Sequence, residues 1–538
     1  MSIDPQAVQR ILDDIALKYR GPGGAIAVIK DGELVGQRVW GYADIENHIA
    51  MTPQTQMPIC SISKQFFCAL MLDLERNPTS AMAGKGPARK QFEDIMAQIL
   101  PPELTEGSGL TLQHLVDMQS GLRDYWAMTT LWGAKPDDEF LVERDFPPAQ
   151  ERTRSFHFTP GTEFSYCNVN FHVLGRIVER VAGEPLDKLL AERILGPAGM
   201  STAFMCPDNA KIPSPVVGYE GSEQIGGYIP VINRIEWSGD GGLVASLEDM
   251  IAYEKYLDRL FTDSESWYRA ITSPQTYADG NSAPYHYGMD RKSYDEVVTL
   301  GHSGGLRGFR SHRRNAPHER LSVVVFFNHE ADVPAAASDM LRALLNRPFP
   351  NIPPVEPSAA WLGSFLDQDT QLAVTITRGL QIGELIINYE GSPEIIKATD
   401  TIHAKSLDMT ASIEGNVVRI HRISENRTLV ASRLVPNDVT LKDETLQGTY
   451  RSDEIDSNFH CSGQAGMLYG YFEGYLGRGI PAPLYYLGDD VWQLTCPRGL
   501  DAPAPGNWTM VLKRDDRGAV SGFKIGCWLA RGIDFVKV

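Results

Sequence analysis

Between Arg347 and Pro357 the chain runs Arg347-Pro348-Phe349-Pro350-Asn351-Ile352-Pro353-Pro354-Val355-Glu356-Pro357. Proline fixes φ and has no N–H to donate, so neither a helix nor a central strand passes through such a stretch; it reads as a stiff, extended linker. Sequence patterning changes across it. Before it, apolar residues at helical spacing alternate with strand-like runs and glycine-rich turns. After it no helical periodicity is found, and short runs at turn spacing read as strands. At 538 residues the chain exceeds what one core supports. The reading is a mixed domain over 1–346, a linker over 347–358, and β domains over 359–437 and 438–538.

The two β domains share a start. Trp361-Leu362-Gly363-Ser364-Phe365 is echoed by Leu446-Gln447-Gly448-Thr449-Tyr450, which suggests two units of one design. Small antiparallel barrels are the economical form, because closure removes exposed strand edges.

In the first domain, Val8, Ile11, Leu12, Ile15 and Ala16 share one side of a predicted helix from Pro5 to Tyr19. Ala25–Lys30 and Leu34–Trp40 flank Asp31-Gly32-Glu33, whose Asp-Gly pair predicts a hairpin. Helices are expected over 110–118, over 169–182 with Gly183 as the stop, from about Leu247, and over 333–345. Thr299–Ser311 reads as one strand and Leu321–Asn328 as a buried one. The class is α+β, an antiparallel sheet flanked by helices, followed by two small antiparallel β-barrels.

Composition excludes several functions. A net charge of −18 argues against nucleic acid or an anionic membrane as partner, since both are polyanions. No basic segment followed by an apolar run opens the chain, and no apolar stretch is long enough to span a bilayer. Seven scattered cysteines without a C-x-x-C pair fit a reducing compartment; a cytoplasmic location is expected. His114 and His172 lie in helical patterns and read as structural, and His157 and His286 show no ligand spacing, so no metal site is expected.

The chemistry starts at Pro58-Ile59-Cys60-Ser61-Ile62-Ser63-Lys64-Gln65-Phe66-Phe67-Cys68-Ala69-Leu70-Met71-Leu72. From Lys64 onward this is an apolar helix, and residues three apart on a helix share a face, so Ser61 and Lys64 can meet. A serine hydroxyl needs a neighbour to take its proton, and a lysine in apolar surroundings has the lowered pKa to do it. Ser61 is the candidate nucleophile and Lys64 its base. The motif alone is short enough to arise about once by chance in such a chain. Further segments give it weight: Tyr166-Cys167-Asn168 and His302-Ser303-Gly304 follow in order at wide spacing. Around them lie Leu112-Gln113-His114-Leu115, Ser120-Gly121-Leu122, Thr159-Pro160-Gly161 and Gly241-Gly242-Leu243-Val244. The glycine-rich turn at 239–246 lacks the lysine of a phosphate loop.

This combination resembles the penicillin-recognising serine hydrolases, which include serine β-lactamases, DD-peptidases and their esterase and D-aminopeptidase relatives. In that group the third motif is usually Lys-Thr-Gly or Lys-Ser-Gly; here it is His302-Ser303-Gly304. A lysine there supplies a permanent cation for a substrate carboxylate, whereas histidine is mostly neutral at pH 7, so that anchor is weakened. The histidine, the chain length and two β domains after a proline-rich linker resemble the bacterial D-stereospecific aminopeptidases.

The resemblance implies an acyl-enzyme mechanism without metal or other cofactor. Lys64 accepts the proton as Ser61 attacks; the N–H groups of Ser61 and Gly305 hold the oxyanion. Tyr166, its phenol depressed beside Lys64, relays a proton to the leaving amine, and Asn168 binds the substrate amide. Gly304 and Arg310 are expected near the substrate. The partners implied are small peptides or amides with an N-terminal D-residue, β-lactams as candidate inhibitors, and a second copy of the chain in a homodimer. The rival readings are an esterase, a DD-carboxypeptidase or β-lactamase-like hydrolase, and a penicillin-binding sensor without turnover.

One loop is singled out in the last β domain, Cys496-Pro497-Arg498-Gly499-Leu500-Asp501-Ala502-Pro503-Ala504-Pro505-Gly506-Asn507-Trp508. Its glycines and prolines favour a stiff projection over a regular strand. Resemblance to the D-aminopeptidases implies that it reaches the catalytic cleft, with Asp501 binding the substrate ammonium.

Overall fold

Asp31 and Gly32 both take positive φ, 53° and 76°, as a two-residue hairpin turn requires. They join strand Gly23–Lys30 to strand Glu33–Asp44. The other edge of Gly23–Lys30 pairs antiparallel with Leu321–Phe327, so that Ala25 faces Phe326 and Val28 faces Val323. Sequence-distant ends of the first domain thus close one eight-stranded sheet. The computed structural model that shows this describes residues 4–213, 215–349, 353–391, 393–436, 446–464, 466–500 and 504–538.

Side chains of Gly23–Lys30 alternate between two apolar layers, as the pleat requires. Ile26 and Val28 join Val8, Leu12, Val333, Ala337 and Met340 under helices Pro5–Lys18 and Val333–Leu345. Ala25, Ala27 and Ile29 face the layer that holds helices Ser63–Arg76, Asn168–Ala182 and Leu247–Thr262. Local chemistry sets the ends of these helices. Ser246 caps the last with a capping box, Asp332 caps Val333–Leu345, and Gly183 in the left-handed region stops Asn168–Ala182.

Two elements differ from expectation. The segment 299–311 is a hairpin, Val297–Leu306 and Phe309–Ala316, because Gly308 turns at φ 75°. A Cβ there would sit 2.6 Å from the Gly218–Tyr219 backbone, so only glycine fits. The helix expected over 110–118 is the single turn Leu112–Val116, ended where Met118 takes φ 58°. Helices Ala88–Ile99, Tyr125–Leu131 and Val142–Glu151 were not anticipated.

Beyond the linker stand two closed barrels of eight antiparallel strands. The first runs from Gly363–Asp367 to Arg427–Arg433, which pair with each other to close it. The second runs from Gly448–Ser452 to Ala530–Lys537, again paired, with the short strand Gly477–Arg478 appended at its edge. Gly363 and Gly448 open the two barrels at φ 136° and 137°, which is the physical content of the echoed sequence.

The barrels dock differently. Trp132, Leu131, Met128 and Ala127 of the first domain enter the core of the second barrel beside Phe459, Phe472 and Trp508, and the Trp132 indole donates to Ile455 O at 2.9 Å. The first barrel keeps a core of its own around Trp361, Phe365 and Ile420.

Candidate active site

Cys60 is buried and takes φ 51°, a strained conformation for a residue with a side chain. It turns the chain from strand Met57–Pro58 into a short 3₁₀ turn, Cys60–Ile62, that leads into helix Ser63–Arg76. Strand Val297–Leu306 fits against that turn. A Cβ on Gly304 would lie 2.2 Å from Ile59 O and from Ser311 Oγ, and Ser311 Oγ donates to Ile59 O at 2.9 Å. The glycine of the third motif therefore lets the sheet edge approach the backbone just before Ser61.

Lys64 is wholly buried. Its Nζ lies 3.0 Å from Ser61 Oγ, 2.8 Å from Asn168 Oδ1 and 2.6 Å from the Asp240 carbonyl oxygen. Two of these neighbours can only accept a hydrogen bond; the third, a hydroxyl, can donate. A neutral amine has two N–H groups and one lone pair, so its lone pair is left facing Ser61. Burial lowers the Lys64 pKa to about 8, outweighing the pull of Asp240 and Asp124 toward the charged form. The geometry and the pKa both suit a base at the Ser61 hydroxyl.

The neighbours are themselves held. Asp124 accepts from the Asn168 N–H at 2.8 Å, the Asn168 amide at 2.9 Å and the Trp126 N–H at 2.8 Å. Burial raises its carboxyl to about 6 against those bonds. Asp240, raised by burial, accepts from Tyr125 Oη at 2.9 Å and from the Ser238 N–H at 2.9 Å. Asn168 thus has its oxygen on Lys64 and one amide hydrogen on Asp124, with one N–H left for a ligand.

Tyr166 corrects an expectation. Its phenol shares a hydrogen bond with Ser61, and its ring centroid lies 5.1 Å from Lys64 Nζ. Yet burial drives its pKa up, beyond what the bond to Ser61 offsets. A phenol in this pocket stays protonated, so it suits donation of a proton rather than action as a phenolate.

His302 is neutral. Burial lowers its pKa to about 4, and Lys64 adds to the effect. Its Nδ1 lies 2.5 Å from Ser303 O, which can only accept, so the proton is on Nδ1; Nε2 then accepts from Tyr285 Oη at 2.9 Å. On the neighbouring strand Met289–Tyr294, Asp290 pairs in register with Gly301. Its carboxylate holds Arg314 Nη2 at 2.5 and 2.7 Å. Burial would raise Asp290, but Arg314 and Lys292 outweigh it and hold the acid at about 2.

These groups line a cleft of about 390 Å³. Ser61, Tyr166, Asn168, His302 and Gly305 are on its wall, with Phe164, Trp126, Trp237, Tyr285 and Asp290. Lys64 lies beneath. Gly304 stands behind the wall as a spacer. Arg310 does not line the cleft; it bonds to the Leu306 and Phe309 carbonyl oxygens and to Glu330. The second barrel supplies Ala504, Pro505, Trp528 and Leu529, so its loop does reach the site. Arg498 pairs with Glu220 and Glu330, and Leu500 is buried in the core of the first domain. Asp501 lies outside the described residues.

Asp124, Asp240, Tyr285 and Asp290 were not singled out from sequence. Only Asp240 had a signal, the glycine-rich turn that presents its carbonyl to Lys64.

A buried amine as base to a serine, on a helix packed against an antiparallel sheet, defines a β-lactamase-fold serine hydrolase. Residues 6–347 match the family described as Beta-lactamase, and residues 354–536 the one described as D-aminopeptidase, domain B. The chain is 40% identical over 548 residues to the D-aminopeptidase of Brucella canis, covering 100% of both chains. It is 38% identical over 540 residues to the D-aminopeptidase of Brucella anthropi, covering 99% of each. The chain belongs to the D-aminopeptidase family. Among solved structures, the octameric penicillin-binding protein homologue from Pyrococcus abyssi matches with a TM-score of 0.54 at 18% identity, covering 88% of this chain and 99% of that one. SurE matches with a TM-score of 0.51 at 19% identity, covering 79% and 98%. Those two likenesses concern the fold.

Proposed function

We propose that the cleft releases N-terminal D-residues from small peptides and amides through an acyl-enzyme on Ser61. Lys64 takes the Ser61 proton as Oγ bonds to the carbonyl carbon, and the N–H groups of Ser61 and Gly305 hold the resulting oxyanion. As the C–N bond breaks, the Tyr166 phenol protonates the leaving amine, and the proton on Lys64 replaces the one that Tyr166 gave. Water then attacks the ester carbonyl and gives a proton to Lys64, which passes it to Ser61 Oγ as the acyl C–O bond breaks, releasing the acid and restoring the serine.

The observation that carries the aminopeptidase reading is the charge on the third-motif wall. A neutral His302 stands there beside the Asp290 carboxylate, which is 29% exposed, while Arg314 is 3% exposed and already bound to Asp290. That wall suits a substrate ammonium and, among the described residues, offers a substrate carboxylate no free cation.

The test compares D-alanine p-nitroanilide, its L-isomer and its N-acetylated form. The wild-type enzyme should turn over the first only, and Ser61→Ala should abolish it. Asp290→Asn should raise KM for the free-amine substrate roughly tenfold. Equal turnover of the N-acetylated substrate would remove the case for ammonium recognition.

A further inference from the structure

The segment that delivers Tyr166, residues 163–167, is neither helix nor strand. Its backbone groups must still be paired where they are buried. The first domain supplies few of the partners: the Ser165 N–H donates to Met118 O at 3.1 Å and the Cys167 N–H to Met118 Sδ at 3.2 Å. The Phe164 N–H instead donates to Glu425 O of the first barrel, at 3.3 Å.

Glu425 belongs to the turn Ile423–Glu425 that precedes the last strand of that barrel. Arg422 closes the turn by bonding Glu425 at 2.8 and 2.5 Å, and Asn426 takes φ 55°. From this turn Asn426 Nδ2 donates to Thr162 O at 2.9 Å, and Ser424 O accepts from Tyr277 Oη at 2.8 Å.

All three domains meet on one carboxylate here. Arg427 of the first barrel grips Glu163 bidentately, at 2.9 and 2.6 Å. Arg531 of the second barrel donates to the same group at 3.0 Å. Side-chain exposures of 15% for Glu163, 10% for Arg427 and 8% for Arg531 put the cluster out of bulk water, where bidentate charge-assisted bonds fix geometry well. The next residue, Phe164, packs on Tyr285 with ring centroids 5.5 Å apart, and Tyr285 bonds His302. Tyr166 follows two residues later.

We propose that the first barrel is a positioning element for the catalytic tyrosine, and that Glu163 is the positioning residue through which its Arg427 acts. The barrel puts no described residue on the cleft wall; it sets where Phe164 and Tyr166 stand. This rests on Tyr166 being the proton donor to the leaving amine.

That role gives a readout that mere loss of stability does not move. An amide needs its leaving nitrogen protonated, whereas p-nitrophenolate leaves without a proton. The full-length enzyme is assayed on D-alaninamide and on D-alanine p-nitrophenyl ester, which share one acyl group, at a temperature below melting. Tyr166→Phe sets the scale by lowering the amide/ester ratio of kcat. Glu163→Gln and Arg427→Met should each lower kcat on the amide roughly tenfold or more, with KM within about twofold and ester kcat within about threefold. Arg427→Lys should recover part of the loss. Asp369→Asn should change nothing, because it touches Arg427 from the solvent side. Arg427→Met keeps the Glu163–Arg531 bond and carries the test if Glu163→Gln is not recovered folded. An unchanged ratio in both variants, while Tyr166→Phe lowers it, overturns the positioning role. An unchanged ratio in Tyr166→Phe as well overturns the reading of Tyr166, and the proposal falls with it.

Discussion

The two barrels share a strand plan and an opening glycine, yet they serve the cleft in opposite ways. The second merges its apolar core with the first domain through Trp132 and sends Ala504, Pro505, Trp528 and Leu529 to the cleft wall. Among the described residues, the core of the first barrel takes in none from the first domain, only Trp528 of the second barrel, and the first barrel reaches the catalytic segment through ion pairs and backbone bonds at Glu163 and Phe164. Closing a barrel leaves its outer face and its turns free to differ. The contrast teaches that a duplicated architecture fixes the inside of each unit, while single turns and loops decide what each unit does for its neighbour.

The contrast is broken most severely at Trp132. Trp132→Ala would leave a cavity where the second barrel meets the first domain and cost about 3–5 kcal/mol. Chemical denaturation should show it, with loss of activity following. A cost near that of a surface substitution would mean the second barrel does not depend on the shared core.

The junction between the barrels is next. Glu390 of the first barrel is buried, accepts from Gln493 Nε2 of the second at 2.8 Å, and accepts the Trp528 N–H on its carbonyl at 3.2 Å. Burial raises its carboxyl to about 8 against the Gln493 and Thr509 bonds. The native state then holds a proton that the unfolded chain has lost, so stability falls as pH rises from about 4 to about 8 and levels off above. Glu390→Gln mimics the neutral acid and removes that loss. It should be more stable than wild type at pH 9 by on the order of 2–4 kcal/mol, with the difference vanishing near pH 4. A difference independent of pH would show that Glu390 is ionised in the native state.

The smallest effect separates selectivity from positioning. Trp528→Ala should raise kcat/KM for bulky N-terminal D-residues relative to D-alanine by roughly tenfold. Arg427→Met should leave that preference unchanged while it lowers the rate. If Arg427→Met shifted the preference as well, the division of labour between the barrels would collapse.

Much of the framework was legible before folding because short-range chemistry determines it. The Asp31-Gly32 turn, the Gly183 stop and the helix Val333–Leu345 follow from backbone preferences that neighbours barely alter. The proline-rich segment separates the domains for the same reason, and the helical spacing of Ser61 and Lys64 makes their meeting a local matter. Sequence could also name Tyr166, Asn168 and His302 as members of one group, and the structure brings them to one cleft.

Other features depend on the whole chain. Asp290 faces the cleft because its strand pairs with the His302 strand in one register, and a slip of one residue would turn it away. Arg310, on the next strand, is drawn off by Glu330 and two carbonyl oxygens. Burial lowers the amine of Lys64, as its apolar helix leads one to expect, but the same burial keeps the phenol of Tyr166 protonated, which its place near Lys64 in the motif order does not reveal. Nothing in the sequence singles out Glu163; the packing of three domains makes it the place where they meet. The sequence by itself settled which groups could react and where local turns fall. Tertiary structure decided their protonation, their neighbours and their orientation, because those depend on water excluded by residues far away in the chain.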